Sequence, residues 1–224
     1  MLTAIIVAGG SGRRMGFDKT FASLGGKPVI AHALCAFEAA GCVDDIILVG
    51  RVDRLEDFRG LVTSQGFAKV RSVIAGGAER QDSVASGLAA LSSECDYVVV
   101  HDAARPLVRP EEIESVFNAA RMHGAAALAG PVADTLKRAD GDRMVVASLE
   151  REGLFAMQTP QIFSRRLLEE AYAKVRADGL SITDEVSAVQ NLGRKVVLVP
   201  NDAPNFKITF PMDLALAELI LQSR

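Results

Sequence analysis

Apolar runs of strand length alternate with segments of helical period along most of this chain. LTAIIVA, residues 2–8, is a continuous apolar run. Such a run suits a strand buried on both faces of a parallel sheet. PVIAHALCAFEAAG then has helical spacing, with Pro28 at its start and Gly41 past its end. The alternation continues through DIILVG, RLEDFRGLVTSQG, KVRSVIAGG, ERQDSVASGLAAL, DYVVVHD, RPEEIESVFNAARMHG and AAALAGPV. Parallel strands need long crossovers, and helices supply them. The pattern therefore predicts an α/β fold with a doubly wound, mostly parallel sheet.

The pattern breaks after Val132. Two β-like stretches flank the turn-rich ADGDR, residues 139–143, and no helix fits between them. This predicts a protruding β-hairpin arm at about 134–158, with the chain back in the core at Phe163. A helix over SRRLLEEAYAKVRADG follows. TDEVSAVQNLG predicts a short helix capped by Thr183 or Asp184. KVVLVP reads as a strand, and a terminal helix starts near Pro211. With 224 residues, no repeats and no low-complexity linker, the expectation is one domain over 1–224 plus the arm.

Composition narrows the partners. Hydrophobic residues make up 49% and charged residues 24%, enough for an ordinary core. The formal charge is −3, which does not support a general grip on nucleic acid. No apolar run approaches the roughly 20 residues that cross a bilayer, so no membrane partner is expected. The apolar N-terminal stretch lacks a basic region and is cut short by glycines, unlike a secretory leader. Cys35, Cys42 and Cys95 are odd in number and lack metal spacing. They read as thiols in a reducing compartment, and the expected location is the cytoplasm.

Ligands of open parallel sheets bind beyond the carboxyl ends of the strands. Three candidate segments leave strands there: residues 9–19, Ala75–Gly77, and His101–Pro106. The first, GGSGRRMGFDK, is rich in glycine and cations. Met15 replaces the third glycine of a dinucleotide fingerprint, while Arg13 and Asp18 replace two glycines of a P-loop. Glycines 9, 10 and 12 would still expose backbone N–H groups to an anion. Arg14 would add a planar fork of donors and Lys19 a mobile point charge.

The stretches AGGSGRRMGFDK, GGAERQDSVASGL, VHDAARP, TPQIF, TDE and NFKIT stand in one order from about residue 4 to about 220. Together they resemble the 2-C-methyl-D-erythritol 4-phosphate cytidylyltransferase family of the non-mevalonate isoprenoid pathway. The first stretch alone resembles the signature of nucleotidyltransferases that act on sugar or polyol phosphates. The family commonly has Pro-Ala-Ala-Gly where this chain has Val7-Ala8-Gly9-Gly10, and Pro-Lys-Gln where it has Asp18-Lys19-Thr20. Asp18 thus places a carboxylate beside Lys19, to pair with it or to lie outward. The sister group acting on ribitol 5-phosphate tends to carry a bulkier residue than Ala104, so that substrate is the alternative. A non-catalytic nucleotide-binding regulator is a remoter one.

The resemblance implies a Rossmann-like nucleotidyltransferase fold and attack of a polyol phosphate on the α-phosphorus of CTP. Both reactants are anions, so the site must offset repulsion and hold them in line. By resemblance, Arg14 and Lys19 contact the triphosphate and Lys207 the α-phosphate. Cytosine is read by Ala8, Gly9 and Gly77 backbone groups and the Ser83 side chain. Arg80 lies beside Ser83 in a helix's first turn and joins the CTP set. Asp102 at a strand's carboxyl end suits Mg²⁺, or another divalent cation, with phosphates completing the shell. Asp102 is also placed with Arg105, Thr135, Arg151 and Thr159 at the methylerythritol phosphate. The arm is implied to make a homodimer, which agrees with the marginal stability of an isolated hairpin. His32, His101 and His123 lack metal spacing and read as structural.

Overall fold

The computed structural model describes residues 1–10 and 18–224. Among them β1 (Leu2–Ala8), β4 (Asp45–Gly50), β5 (Val70–Ala75) and β6 (Tyr97–Asp102) pair in parallel. Between them lie a small hairpin of β2 (Ser23–Leu24) and β3 (Lys27–Pro28), then α1 (Val29–Ala39), α2 (Leu55–Gln65) and α3 (Arg80–Ala89). After β6 come α4 (Pro110–His123) and β7 (Ala125–Pro131), then the hairpin β8 (Leu136–Ala139) and β9 (Val145–Leu149). β10 (Phe155–Ser164), α5 (Arg165–Ala177), α6 (Glu185–Gln190), β11 (Val197–Pro200) and α7 (Pro211–Gln222) complete the chain. The main sheet has the order β11-β7-β10-β6-β1-β4-β5.

The two-sided burial read from the β1 sequence is explained by the packing. Leu2, Ala4, Ile6 and Ala8 face a layer that holds Ile30, Leu34 and Phe37 of α1 and Ile113 and Val116 of α4. Ile5 and Val7 face the opposite layer, with Val84 of α3 and Leu168 and Val175 of α5. Side chains alternate across a strand, so one apolar run serves both layers. A third cluster joins Leu24, Leu107 and Ile208 to Ala217 of α7.

One expectation needs correction. The chain re-enters the sheet at Phe155, not at Phe163. β10 runs antiparallel between β7 and β6, pairing Phe155 with Pro131 and Gln161 with Val100. Proline lacks the ladder donor, so a Pro-bearing segment argues against a central strand. Here Pro160 falls in the irregular stretch between Met157 and Gln161, where the register to β7 shifts. The remaining excursion, β8 and β9, forms a sheet of its own.

Candidate active site

Four parallel strands end on one edge, at Ala8, Gly50, Ala75 and Asp102, and two clefts open there. The first, of about 490 Å³, is bounded by Ala8, Gly9, Gly10, Lys19, Gly77 and Ser83. The second, of about 520 Å³, is bounded by Arg105, Gln158, Thr159 and Asp184. Arg80, Asp102 and Lys207 line both. These three residues form the wall between the clefts.

Glycines shape the first cleft by close approach. A Cβ on Gly76 would lie 2.4 Å from Ser83 Oγ, and one on Gly77 2.3 Å from Asp82 Cβ. The strand end can therefore lie against the first turn of α3 only without side chains at these positions. Ser83 is buried, and its hydroxyl donates to Glu79 O at 3.2 Å. Asp82 accepts from the Glu79 N–H and closes a capping box at the start of α3. Lys19 Nζ donates to Ile208 O at 2.8 Å, which brings the end of the glycine loop beside Lys207. Asp18 turns away from that contact. It accepts from Thr20 N–H at 2.9 Å and faces Arg54 at 3.7 Å. Gly12 and Arg14 lie outside the described residues.

Asp102 is 7% exposed and holds a cation on each oxygen. Arg80 Nε donates to Oδ1 at 2.9 Å and Lys207 Nζ to Oδ2 at 2.8 Å. Burial alone would raise the Asp102 pKa. The charges of Arg80 and Lys207 outweigh it and hold the carboxyl far below the usual carboxylate range. The other end of Arg80 grips Glu185 with both terminal nitrogens, at 2.7 and 2.9 Å. Burial would lower the Arg80 pKa, but Glu185 and Asp102 more than reverse that. Three of its five N–H donors are thus engaged inside the protein. Arg80 is consequently part of the wall between the clefts, held from within by Asp102 and Glu185.

The wall bears on the expectation of a metal at Asp102. With both oxygens committed to cations, Asp102 offers no open carboxylate edge, and a dication there would face Arg80 and Lys207. Among the described residues, no group of three His, Cys, Asp or Glu side chains comes together to hold a metal. Asp102, paired on both oxygens, would hold a Mg²⁺ only by giving up one of these cations.

Behind the wall, Thr159 and His101 fix the strand end. The Asp102 N–H donates to Thr159 Oγ1 at 3.1 Å, and His101 Nδ1 lies 3.0 Å from the same oxygen. His101 is fully buried against Phe37, and burial pulls its pKa down to about 3. The ring is therefore neutral. Its Nε2 lies 3.2 Å from Arg105 O, which can only accept, so Nε2 carries the proton. The Thr159 hydroxyl then donates to Nδ1. Thr159 spends its donor within the protein and borders the second cleft without pointing a free hydroxyl into it.

Among the described residues, no carboxylate pairs with the Arg105 guanidinium and no acceptor meets its Nε. Arg105 donates to the carbonyls of Asn205 at 2.7 Å and Met157 at 3.2 Å. Burial pulls its pKa down, only partly offset by Asp102. A cation held this way favours an anion in the second cleft. Thr135 and Arg151 line neither cleft of this chain. Both are exposed on the arm, where Arg151 donates to Ala133 O.

Sequence reasoning did not single out Glu185 or Tyr172, whose hydroxyl donates to Glu185 at 2.9 Å. The available signal was a carboxylate on the apolar face of a short helix, next to Val186 and Val189. Asp184, expected to cap this helix, does so by accepting from Ser187 N–H.

The profile of the 2-C-methyl-D-erythritol 4-phosphate cytidylyltransferase family matches residues 2–223. The chain belongs to this family. A family member from Dehalococcoides mccartyi is 42% identical over 220 residues, 98% of this chain and 95% of that protein. One from Pelotomaculum thermopropionicum is 42% identical over 226 residues, covering 100% and 95%. Among solved structures, 4-diphosphocytidyl-2C-methyl-D-erythritol synthase from Anaerococcus prevotii superposes with a TM-score of 0.88 at 32% identity. The match covers 99% of this chain and 96% of that one. The family's enzyme from Thermus thermophilus gives 0.80 at 34% identity, covering 97% and 98%. Family membership makes this chain a cytidylyltransferase of isoprenoid biosynthesis.

Proposed function

We propose that the chain transfers CMP from CTP to 2-C-methyl-D-erythritol 4-phosphate and releases pyrophosphate. The observation that carries this reading is the pair of adjoining clefts sharing the wall Arg80, Asp102 and Lys207. CTP would occupy the first cleft, with its base against the glycine-lined edge at Ser83. The polyol phosphate would occupy the second, its charge offset by Arg105. The reacting atoms then meet at the wall. A phosphate oxygen of the acceptor forms a bond to the α-phosphorus, and the bond to pyrophosphate breaks. The attacking oxygen is already ionised, so no general base is required. Lys207 and Lys19 stabilise the charge on the phosphoryl oxygens, the step at which fixed cations contribute most.

Mg²⁺ dependence is inferred from the two polyanionic reactants, with the ion carried on the triphosphate of CTP. A single domain with a dimerising arm is inferred from β8 and β9. Met144, Val145 and Val146 are exposed there, and Thr135 and Arg151 would complete a neighbour's site. Three free thiols suit the cytoplasm. Among the described residues, no helix is long and apolar enough to cross a membrane.

The direct test is pyrophosphate release from CTP, 2-C-methyl-D-erythritol 4-phosphate and Mg²⁺. Ribitol 5-phosphate, the substrate of the sister group, is run in parallel. No release above a no-enzyme control would sink the assignment, and preferred turnover of ribitol 5-phosphate would move it to the sister activity.

A further inference from the structure

The wall between the clefts is anchored to a carboxylate that borders neither of them. Glu185 opens α6 and is 0% exposed. Its two oxygens receive the forked grip of Arg80, and Oε1 also accepts from Tyr172 of α5. Gln161 of β10 takes the Glu185 and Val186 backbone N–H groups on its side-chain oxygen, at 3.1 and 3.2 Å. α5, α6 and β10 thus fix the carboxylate. From it runs a line of alternating charge: Glu185, Arg80, Asp102, Lys207. The four groups sum to zero and come from four separate parts of the chain. Each inner member touches two opposite charges, so the position of one sets that of the next.

Stability does not call for such a line. Buried ion pairs are commonly matched or bettered by apolar side chains of similar size. Position does call for it. Asp102 must keep one oxygen on Lys207 while the other holds Arg80. If the charge of Glu185 were missing, Asp102 alone would compensate a half-buried guanidinium. The carboxylate would be drawn towards Arg80, and Lys207 would recover the rotamer freedom of an unpaired lysine.

We propose that Glu185 is a positioning residue, acting through Arg80 and Asp102 to hold Lys207 at the wall where the two substrates meet. The proposal rests on the transferase reading. Its test separates the two by pairing kinetics with a measurement on the protein alone. Glu185→Gln keeps size and removes charge. With CTP and 2-C-methyl-D-erythritol 4-phosphate, kcat falls about tenfold or more while KM for CTP moves by less than about threefold, as for a displaced group that acts late. In an Arg80→Met background the same substitution has no further effect on kcat, because its route to Lys207 is already cut. Without substrate, competitive amine acylation read by mass spectrometry shows Lys207 reacting about twofold faster or more, since its amine is released from Asp102 and moves freely.

Unchanged kcat in Glu185→Gln, an equal loss in the Arg80→Met background, or unchanged Lys207 acylation would each overturn the proposal. If wild-type protein releases no pyrophosphate, the transferase reading fails and the acylation result alone decides the positioning. If Glu185→Gln does not fold, Glu185→Asp takes its place. The shorter side chain keeps the charge but cannot span both terminal nitrogens from the same backbone. Wild-type kcat and wild-type acylation in that variant would overturn the proposal equally.

Discussion

Replacing Lys207 by Met removes one charge from the wall and keeps most of the apolar stem. At present Glu185, Arg80, Asp102 and Lys207 sum to zero, with Lys207 and Asp102 2.8 Å apart. The substitution leaves a net charge of −1 facing two anionic substrates. A phosphoryl charge about 6 Å from the lost ammonium, at an effective dielectric constant of about 20, loses roughly 2.8 kcal/mol of attraction. That corresponds to about a hundredfold in rate, within the range seen when one preorganised donor is removed. The assay is steady-state pyrophosphate release at fixed ionic strength, with thermal unfolding measured alongside. Lys174→Met is the control. It removes the same charge from a surface pair with Asp178 on α5, and its activity stays near wild type. The reasoning would be refuted if Lys207→Met retained kcat/KM within about threefold of wild type while Lys174→Met did the same.

Other perturbations probe other parts of the site. His101 is buried neutral with its pKa lowered to about 3, so the folded state resists a proton that the unfolded chain takes up below about 6.5. Stability from this group is full above that value and falls with pH, by about 2 kcal/mol between pH 7.5 and pH 5. Urea titrations at the two pH values should show this loss in wild type and a smaller one in His101→Gln; parallel losses would count against it. Gly76→Ala places a Cβ 2.4 Å from Ser83 Oγ and should cost about 1–3 kcal/mol. Adding Ser83→Ala should return part of that stability, and a double variant no better than the single one would contradict the steric account. Aspartates in place of Val145 and Val146, which are 65% and 57% exposed on the arm, should convert a dimer to monomers in light scattering. An unchanged mass would remove the arm from the interface.

What could be read from the sequence follows from how local each signal is. β1 was legible because both faces are buried and the apolar run is unbroken. The α4 boundaries were legible because Pro110 and Gly124 punctuate them, Gly124 adopting a left-handed φ of 82°. β10 was not, because Gln158, Pro160 and Gln161 give it neither an apolar run nor a clean alternation. The same polar residues have internal work: Gln161 anchors the start of α6, and Gln158 accepts from Asn201 and Asn205. The site residues on the carboxyl edge could be named individually, but their pairings could not. Arg80 and Glu185 are 105 positions apart, as are Asp102 and Lys207, and spacing carries no information across such separations. Asp18 was ambiguous for a related reason. It accepts from Thr20 N–H and lies 3.7 Å from Arg54, which a linear reading does not bring near.

The antiparallel direction of β10 has an architectural consequence. A parallel strand at that place would have sent the chain to the far edge of the sheet before it could return. Because β10 runs the other way, the chain leaves β7 at Pro131 and comes back at Phe155, directly opposite. Both ends of the excursion are clamped on one rung of the ladder, on the rim where the clefts open. An insertion there can lengthen, shorten or change its tip without disturbing the register of a single core strand. The fold thus keeps a site for evolutionary variation at the mouth of its own active centre.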